Sequence, residues 1–342
     1  MKKCKKVVIS LFVIYTFLAT TVMFVVEKND LKSFVKQSFF SESYSLDGVW
    51  KENSLNPIIG DVKTGSLFDP WIIQKDDGTY IMYVSWRKEK NIAYTTSEDG
   101  EHWSDLKVAL EKDADSGWEE QVNRCSVVYY GDKYYMYYTG LDNGISRIGI
   151  ASSDDGYNFE RIQDAPIVLP DENWEGHSVM NPSVMIDNGV FKMWYSAGET
   201  YEPDVICYAT SMDGVTWQKF DYNPIFSKTT DWYSSNKVAV GQVIKHDNLY
   251  YMFFIGYQDV DTARVCVATS LDGITNWKIY ENNPIVNIGK SNSWNQHACY
   301  KPTVLYDEKS NTWRIWYNGR SYSNEYIGMS SFEGDFLEEM KE

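Results

Sequence analysis

A short stretch, Phe68-Asp69-Pro70-Trp71-Ile72-Ile73, returns four times along the chain. The later copies are Arg124-Cys125-Ser126-Val127-Val128, Asn181-Pro182-Ser183-Val184-Met185, Val240-Gly241-Gln242-Val243-Ile244 and Lys301-Pro302-Thr303-Val304-Leu305. Each is followed by a Gly, Asn or Asp turn and then by an aromatic-rich run such as Tyr134-Tyr135-Met136-Tyr137 or Trp313-Arg314-Ile315-Trp316. With Asp69, Arg124, Asn181, Val240 and Lys301 taken as one position, the spacings are 55, 57, 59 and 61 residues. A unit that returns five times at nearly constant length is a repeat architecture, and this limits the fold more than any other feature.

Every unit also has a tail with a turn in it. The tails are Ser97-Glu98-Asp99-Gly100, Ser153-Asp154-Asp155-Gly156, Ser211-Met212-Asp213-Gly214 and Ser270-Leu271-Asp272-Gly273, each followed closely by an aromatic residue. Asp-Gly between two β-rich runs is a hairpin signal, because Gly supplies the positive φ. Each repeat therefore predicts four antiparallel strands, and five such repeats predict an all-β, five-bladed β-propeller. The last repeat ends near Gly334 without an evident fourth strand, while a spare tail, Ser45-Leu46-Asp47-Gly48-Val49-Trp50, opens the chain. The N-terminal segment is thus expected to complete the last blade and close the ring. The aromatic residue beyond each turn is expected to plug the gap between neighbouring sheets.

The N-terminus is different material. Lys2, Lys3, Lys5 and Lys6 precede an uncharged run from Val7 to Val26, twenty residues rich in Val, Ile, Leu and Phe. That length spans a bilayer as a helix, and the lysines place its start in the cytoplasm. Residues 1–30 are therefore expected to be an N-terminal transmembrane helix acting as a signal-anchor, 31–44 a tether, and 45–342 a propeller on the extracytoplasmic side. Secretion after signal cleavage is the alternative. The formal charge of -16 excludes a nucleic-acid partner, because a phosphate backbone needs a basic footprint. Cys125, Cys207, Cys266 and Cys299 show no zinc-ligand spacing and are expected to be buried free thiols.

Antiparallel alternation places functional residues. If strand one begins at the central funnel, strand two returns to the same face, so starts of strand one and ends of strand two line one mouth. The starts contribute Asp69, Asn123, Arg124, Asn181, Gln242 and Lys301; the ends contribute Trp86, Arg87, Glu199 and Arg320. Asp69 is the acid in a series whose other members are not acids, which suggests chemistry at that unit rather than a turn cap. Arg87, Arg124, Lys301 and Arg320 converging in an acidic protein suggest an anionic ligand, since guanidinium forks match carboxylate, phosphate or sulfate. The structural alternative for each is an ion pair with a mouth carboxylate. Trp86, Trp118 and Trp174 are candidate stacking platforms for sugar rings, with a place in the core as the other option. His177 and His297 precede strand one of blades three and five; they lack a companion ligand set, so no metal site is expected. Glu202-Pro203-Asp204 is expected to shape a loop.

In these residues the chain resembles the five-bladed propeller glycosidases, the clan of glycoside hydrolase families 32 and 43 and the related mannoside phosphorylases. The resemblance covers residues 45–336 and rests on Phe68-Asp69-Pro70 and on runs such as Trp194-Tyr195-Ser196-Ala197-Gly198-Glu199 and Trp316-Tyr317-Asn318-Gly319-Arg320. It implies that Asp69 acts as nucleophile or general base. The clan's second acid, at the start of the second blade, is replaced here by Arg124-Cys125-Ser126, and its Glu two residues before the Pro of the third blade by Met180. A hydrolase needs two carboxylates flanking the bond. Glu199 is the first candidate for the missing acid and Glu175 the second, with Glu119 and Glu120 behind them. Arg87, Asn123, Arg124, Asn181, Lys301, Arg320 and Trp86 are the expected substrate-binding set. The expected partner is an oligo- or polysaccharide, acidic or decorated, cleaved by a hydrolase with no cofactor; a cation in the central channel is left open. Phosphorolysis and non-catalytic glycan binding are the alternatives.

Overall fold

The structure is a computed structural model that describes residues 50–61, 63–334 and 336. The chain divides into two units, Met1–Glu42 and Ser43–Glu342, and the first lies wholly outside the described residues, as do the expected anchor and tether. Among the described residues no helix is long and apolar enough to cross a membrane.

The second unit is all-β. A two-residue strand, β1 (Lys51–Glu52), precedes blade one, which holds β2 (Leu67–Gln74), β3 (Tyr80–Trp86), β4 (Asn91–Ser97) and β5 (Lys107–Leu110). Blade two has β6 (Gln121–Tyr130), β7 (Lys133–Asp142), β8 (Ile145–Ser153) and β9 (Glu160–Arg161). Blade three has β10 (Ser178–Asp187), β11 (Val190–Gly198), β12 (Pro203–Ser211), β13 (Gln218–Lys219) and the short β14 (Phe226–Ser227). Blade four has β15 (Lys237–His246), β16 (Leu249–Tyr257), β17 (Ala263–Ser270) and β18 (Lys278–Ile279). Blade five has β19 (Ala298–Asp307), β20 (Thr312–Ser321) and β21 (Asn324–Glu333). Strands within a blade pair antiparallel in chain order, save that β14 pairs with β12 beside β13, and one parallel bridge, Ala263 to Ala298, links blades four and five. The first strands form a closed circuit, each packed on the next and β19 back on β2.

Two sets of bonds fasten the ring. At one repeat position Thr303, Ser126, Ser183 and Gln242 accept a hydrogen bond from the backbone N–H of Ile72, Val184, Val243 and Val304. Further out, Tyr83, Tyr137, Trp194 and Trp316 donate to the glycine carbonyl of a neighbouring blade's Asp-Gly turn, Gly156, Gly214, Gly273 and Gly100 respectively. In those turns the Asp carboxylate accepts two backbone N–H bonds, as Asp213 does from Val215 and Thr216, and Gly214 takes a φ of 76°. The aromatic plug works as expected: Trp217 of blade three lies edge-on to Tyr137 of blade two at 5.6 Å.

Closure comes from the N-terminal side. Lys51 and Glu52 pair with Ser331 and Ser330 of β21, and Trp50 packs on Phe332 and Phe336. Asn56 bonds Met329 through both backbone groups, as Asn223 does Tyr208 and Asn283 does Val267. The segment around Trp50 and Asn56 is therefore the fourth strand of blade five, donated from the other end of the propeller sequence. Because the outer strand of blade five comes from this segment, the two ends of the repeat array become mutually dependent.

Candidate active site

Strand one carries a bulge at the same place in every blade. Its register breaks between Phe68 and Trp71, Asn123 and Ser126, Met180 and Ser183, Val240 and Gln242, and Tyr300 and Thr303. In four blades the bulged residue takes a left-handed conformation, φ 56° at Asp69, 53° at Arg124, 54° at Asn181 and 47° at Lys301. Asp and Asn tolerate that region; Arg and Lys do so at a cost of about 1–3 kcal/mol each. Backbone bonds from the preceding blade hold it: Asp69 N–H donates to Asn318, Arg124 N–H to Ser85 and Asn181 N–H to Thr139. A bulge breaks the alternation of a strand and re-aims one side chain, which is how a regular ring presents irregular chemistry.

Those side chains are packed at the ring's centre. Arg124 Nε lies 3.5 Å from Asp69 Oδ2. Lys301 is fully buried and its Nζ donates to Gly241 O at 3.2 Å. Asp69 is only 4% exposed, and its Oδ2 accepts no hydrogen bond. Burial pushes the Asp69 pKa up, against the pull of the Arg124 and Lys301 charges, and burial brings Lys301 down to about 8. Both shifts have the same physical cause: each charge gains less from its neighbour than it loses by leaving water.

Asp69 opens into a cavity of about 420 Å³. Arg87 forms one wall, donating from Nε and Nη2 to Glu325, which also accepts from the Tyr300 hydroxyl. The Arg87 guanidinium lies 4.4 Å over the Phe68 ring. Arg320 forms another wall and donates to the carbonyl of Asp261. Tyr257 and Glu202 also line the cavity, and exposed Tyr201, Val260 and Tyr322 form its rim. Burial raises the Glu202 pKa, opposed by Arg124, Lys237 and Arg320.

Asp69, Arg87, Arg124 and Arg320 are thus brought together as the strand rule requires. Lys301, Asn123 and Asn181 sit buried and do not line the cavity; the Oδ1 atoms of both asparagines lack partners. The arginines are not a free anion-binding set. Arg87 is paired with Glu325, Arg124 with Asp69 and Arg320 with Asp261, which is the ion-pair alternative.

Other expectations need correction. Glu175 is fully buried and accepts from Lys219, from Tyr195 and from the N–H groups of Asp171 and Glu172, so it braces blade three. Glu119 does the same in blade two, with Arg161 and Tyr138. Glu120 is exposed and paired with Lys90. Glu199 lines a separate groove, beside His177, and not the Asp69 cavity. Trp86 donates to Thr64 O and packs into the core, Trp118 stacks on Tyr138, and Trp174 packs on the blade-three core, so none is a sugar platform in the cavity. Trp118 fits because Gly140 and Gly149 leave room; a Cβ there would stand 2.6 and 2.5 Å from its ring. His297 lies near the rim, its Nδ1 accepting from the Tyr322 N–H.

The sequence does not single out Glu325, Tyr300 and Tyr257, and it offers Glu202 only as part of a loop-shaping run, whereas Glu202 lines the cavity. Strand three also starts at the mouth, and extending the strand rule to it finds Glu325 at the start of β21 and Pro203, next to Glu202, at the start of β12. Among the described residues no group of three or more His, Cys, Asp or Glu could hold a metal ion. Cys125, Cys207, Cys266 and Cys299 are free and buried.

Residues 54–328 match the sequence family described as Glycosyl hydrolases family 43. The uncharacterized protein Rv1502 of Mycobacterium tuberculosis is 30% identical over 219 residues, covering 61% of this chain and 70% of that protein. A 1,2-beta-oligomannan phosphorylase of Thermoanaerobacter sp. is 30% identical over 123 residues, 33% of this chain and 41% of its own length. A solved structure described as "The GH130 family of mannoside phosphorylases contains glycoside hydrolases that target beta-1,2 mannosidic linkages in Candida mannan" superposes with a TM-score of 0.66 at 15% identity. That superposition covers 82% of this chain and 93% of the other, and at such identity the likeness is one of fold.

Proposed function

The chain belongs to glycosyl hydrolases family 43, and from that premise we propose a glycosidase in which Asp69 and Glu202 flank the bond that is cleaved. The observation that carries this is the Asp69 carboxyl: nearly buried, its Oδ2 ion-paired with Arg124 but accepting no hydrogen bond, at the wall of the cavity that Glu202 also lines. Glycoside cleavage needs one carboxylate to attack or to activate water and one carboxylic acid to protonate the leaving oxygen. Burial holds the Glu202 pKa above the usual carboxylate range, which suits a proton donor. Asp69 is the base or nucleophile; a raised pKa makes it the more effective proton acceptor once ionised, and Arg124 keeps that ionised form within reach.

The Arg87–Glu325 and Arg320–Asp261 pairs fix the orientation of two guanidinium forks. Arg87 spends Nε and Nη2 on Glu325, so its Nη1 donors remain for a sugar hydroxyl or a substrate acid group. We assign the acid group or decoration of an acidic or decorated glycan to that fork. We also place the propeller outside the cell, tethered by the Val7–Val26 run, on the strength of the preceding lysines; protease protection of the propeller in intact cells would overturn this.

Catalysis is tested with Asp69→Asn and Glu202→Gln on a glycan panel. Asp69→Asn should abolish cleavage of every substrate. Glu202→Gln should fail on natural glycans and retain activity on activated aryl glycosides, whose leaving group needs no proton. Undiminished activity in Asp69→Asn would sink the assignment of Asp69, and glycan binding with no cleavage by the native protein would leave a glycan-binding propeller. Phosphorolysis is a second reading because Arg124 stands beside Asp69 where the clan carries an acid. Release of sugar 1-phosphate that depends on inorganic phosphate would select it.

A further inference from the structure

A second groove, of about 540 Å³, lies beside the Asp69 cavity and shares two lining residues with it, Tyr201 and Glu202. That volume is in the range of small-molecule sites, about 300–1,000 Å³. Most of its remaining lining side chains are polar: Asn143, His177, Glu199, Thr200 and Lys237 stand beside Ile145. Hydroxyl-rich ligands suit such a surface, since amide, imidazole and carboxylate groups can each meet a vicinal diol.

The crest between the two cavities is built to stay in place. From the inner side Arg124, the residue beside Asp69, donates to Thr200 O at 3.2 Å and Tyr201 O at 3.5 Å. From the outer side Lys237 donates to Glu202 O at 2.8 Å and pairs with Asp204 at 3.1 Å, while Asp204 accepts from the Glu199 N–H. The buried Thr200 hydroxyl bonds Ser178 and the Gly144 carbonyl. Fastened on both sides, the crest still leaves Tyr201 65% exposed. An aromatic ring held in water by a rigid backbone, lining both cavities, offers an apolar face to the C–H side of a pyranose.

We propose that the outer groove is a second carbohydrate subsite, so that the enzyme takes an oligosaccharide lying across the Tyr201 crest with its scissile bond at Asp69. This rests on the glycosidase reading and names its substrate class as a chain of sugars. Glu199 and His177 hold the hydroxyls of the outer unit. Arg124 ties the crest to Asp69, so a sugar seated outside is set in register with the reacting carboxyl.

The test uses the full chain and a panel of neutral and uronic-acid-containing oligosaccharides graded from disaccharide to pentasaccharide. Cleavage is followed for the protein and for Tyr201→Ala, Glu199→Gln and His177→Ala; binding is measured by calorimetry in Asp69→Asn. The expected result is a gain in kcat/KM of about tenfold with added length, roughly one good polar or stacking contact, and loss of that gain in each variant. A merely structural role would lower short and long substrates alike, leaving the ratio unmoved and overturning the proposal. Cleavage without length dependence removes the subsite and leaves the glycosidase. Binding that tightens with length and is never followed by cleavage supports the subsite and removes the glycosidase. Neither binding nor cleavage across the panel overturns both.

Discussion

Glu175→Gln separates a structural carboxylate from a catalytic one. The native carboxylate is fully buried, pairs with Lys219 at 2.6 Å, and accepts from Tyr195 at 2.9 Å and from two backbone N–H groups at 3.0 Å each. Glutamine keeps the shape and one acceptor oxygen, but the Lys219 charge, 18% exposed, is left with Asp171 as its ion-pair partner. Breaking a buried pair costs about 3–5 kcal/mol, and the surviving Asp171 contact puts this case near ~3 kcal/mol. For a domain of this size about 2 °C is lost per kcal/mol, so the melting temperature should fall by about 6 °C. Calorimetry or circular dichroism reads the melt, and turnover is measured well below both transitions. Activity per folded molecule should be unchanged, the opposite of Glu202→Gln, which should keep its melting temperature and lose turnover on natural glycans. A Glu175→Gln protein that melts with the native one and has lost its activity would refute the assignment of Glu175 to the scaffold.

Asp69→Asn should stabilise the protein near neutral pH, because asparagine tolerates the left-handed backbone and carries no buried charge. The sign follows from linkage. With its pKa raised in the folded state, Asp69 contributes stability that is full below the usual carboxylate pKa, about 4, and lost as pH rises through the folded value. Urea unfolding should therefore show the variant's advantage growing upward from about pH 4 and vanishing below it; a constant offset would contradict the linkage. Lys301→Met removes a charge that draws the Asp69 pKa down, so the acid limb of the kcat/KM profile should move to higher pH. Because the Lys301 pKa is lowered from 10.5 to about 8, the same variant should gain stability over the native protein as pH falls between those values and hold a constant advantage below them. Gly319→Ala would set a Cβ 2.0 Å from the Trp294 ring, which stacks on Tyr317, and overpacking of that kind costs about 1–3 kcal/mol in a thermal or urea melt.

The fold was legible because the repeat is written in residues whose local preferences are strong. Asp-Gly turns, aromatic second strands and the spacing of the five Asp69-type positions all point to the same blade, and consistency of this kind is what specifies a fold. The mouth was legible in part. The strand rule brought Asp69, Arg87, Arg124 and Arg320 together, since it depends on chain direction alone. It missed Glu325 because the start of strand three was not included. The sequence offers Glu175 as a candidate acid and leaves Trp118 open between platform and core, because a carboxylate or an indole near a strand start reads the same whether it faces ligand or Lys219 and Tyr138. Those outcomes are decided by contacts between residues tens of positions apart.

A repeat does offer one internal signal that separates the two kinds of position. Where Ser126, Ser183, Gln242 and Thr303 recur, each side chain can accept a hydrogen bond, and each accepts one from the neighbouring blade, so their likeness records a shared structural task. Two residues earlier the series runs Asp69, Arg124, Asn181, Val240 and Lys301 on the same bulge, and the likeness is gone. The differences are complementary. Arg124 and Lys301 supply the charges that oppose the burial of Asp69, and blade four, with Val240 and Gly241, supplies the carbonyl on which Lys301 rests. Gly241 has to be small there, since a Cβ would stand 2.5 Å from Pro302. Equivalent backbones that carry unequal but interdependent side chains are a site, so replacing Arg124 should raise the pKa of both Asp69 and Lys301.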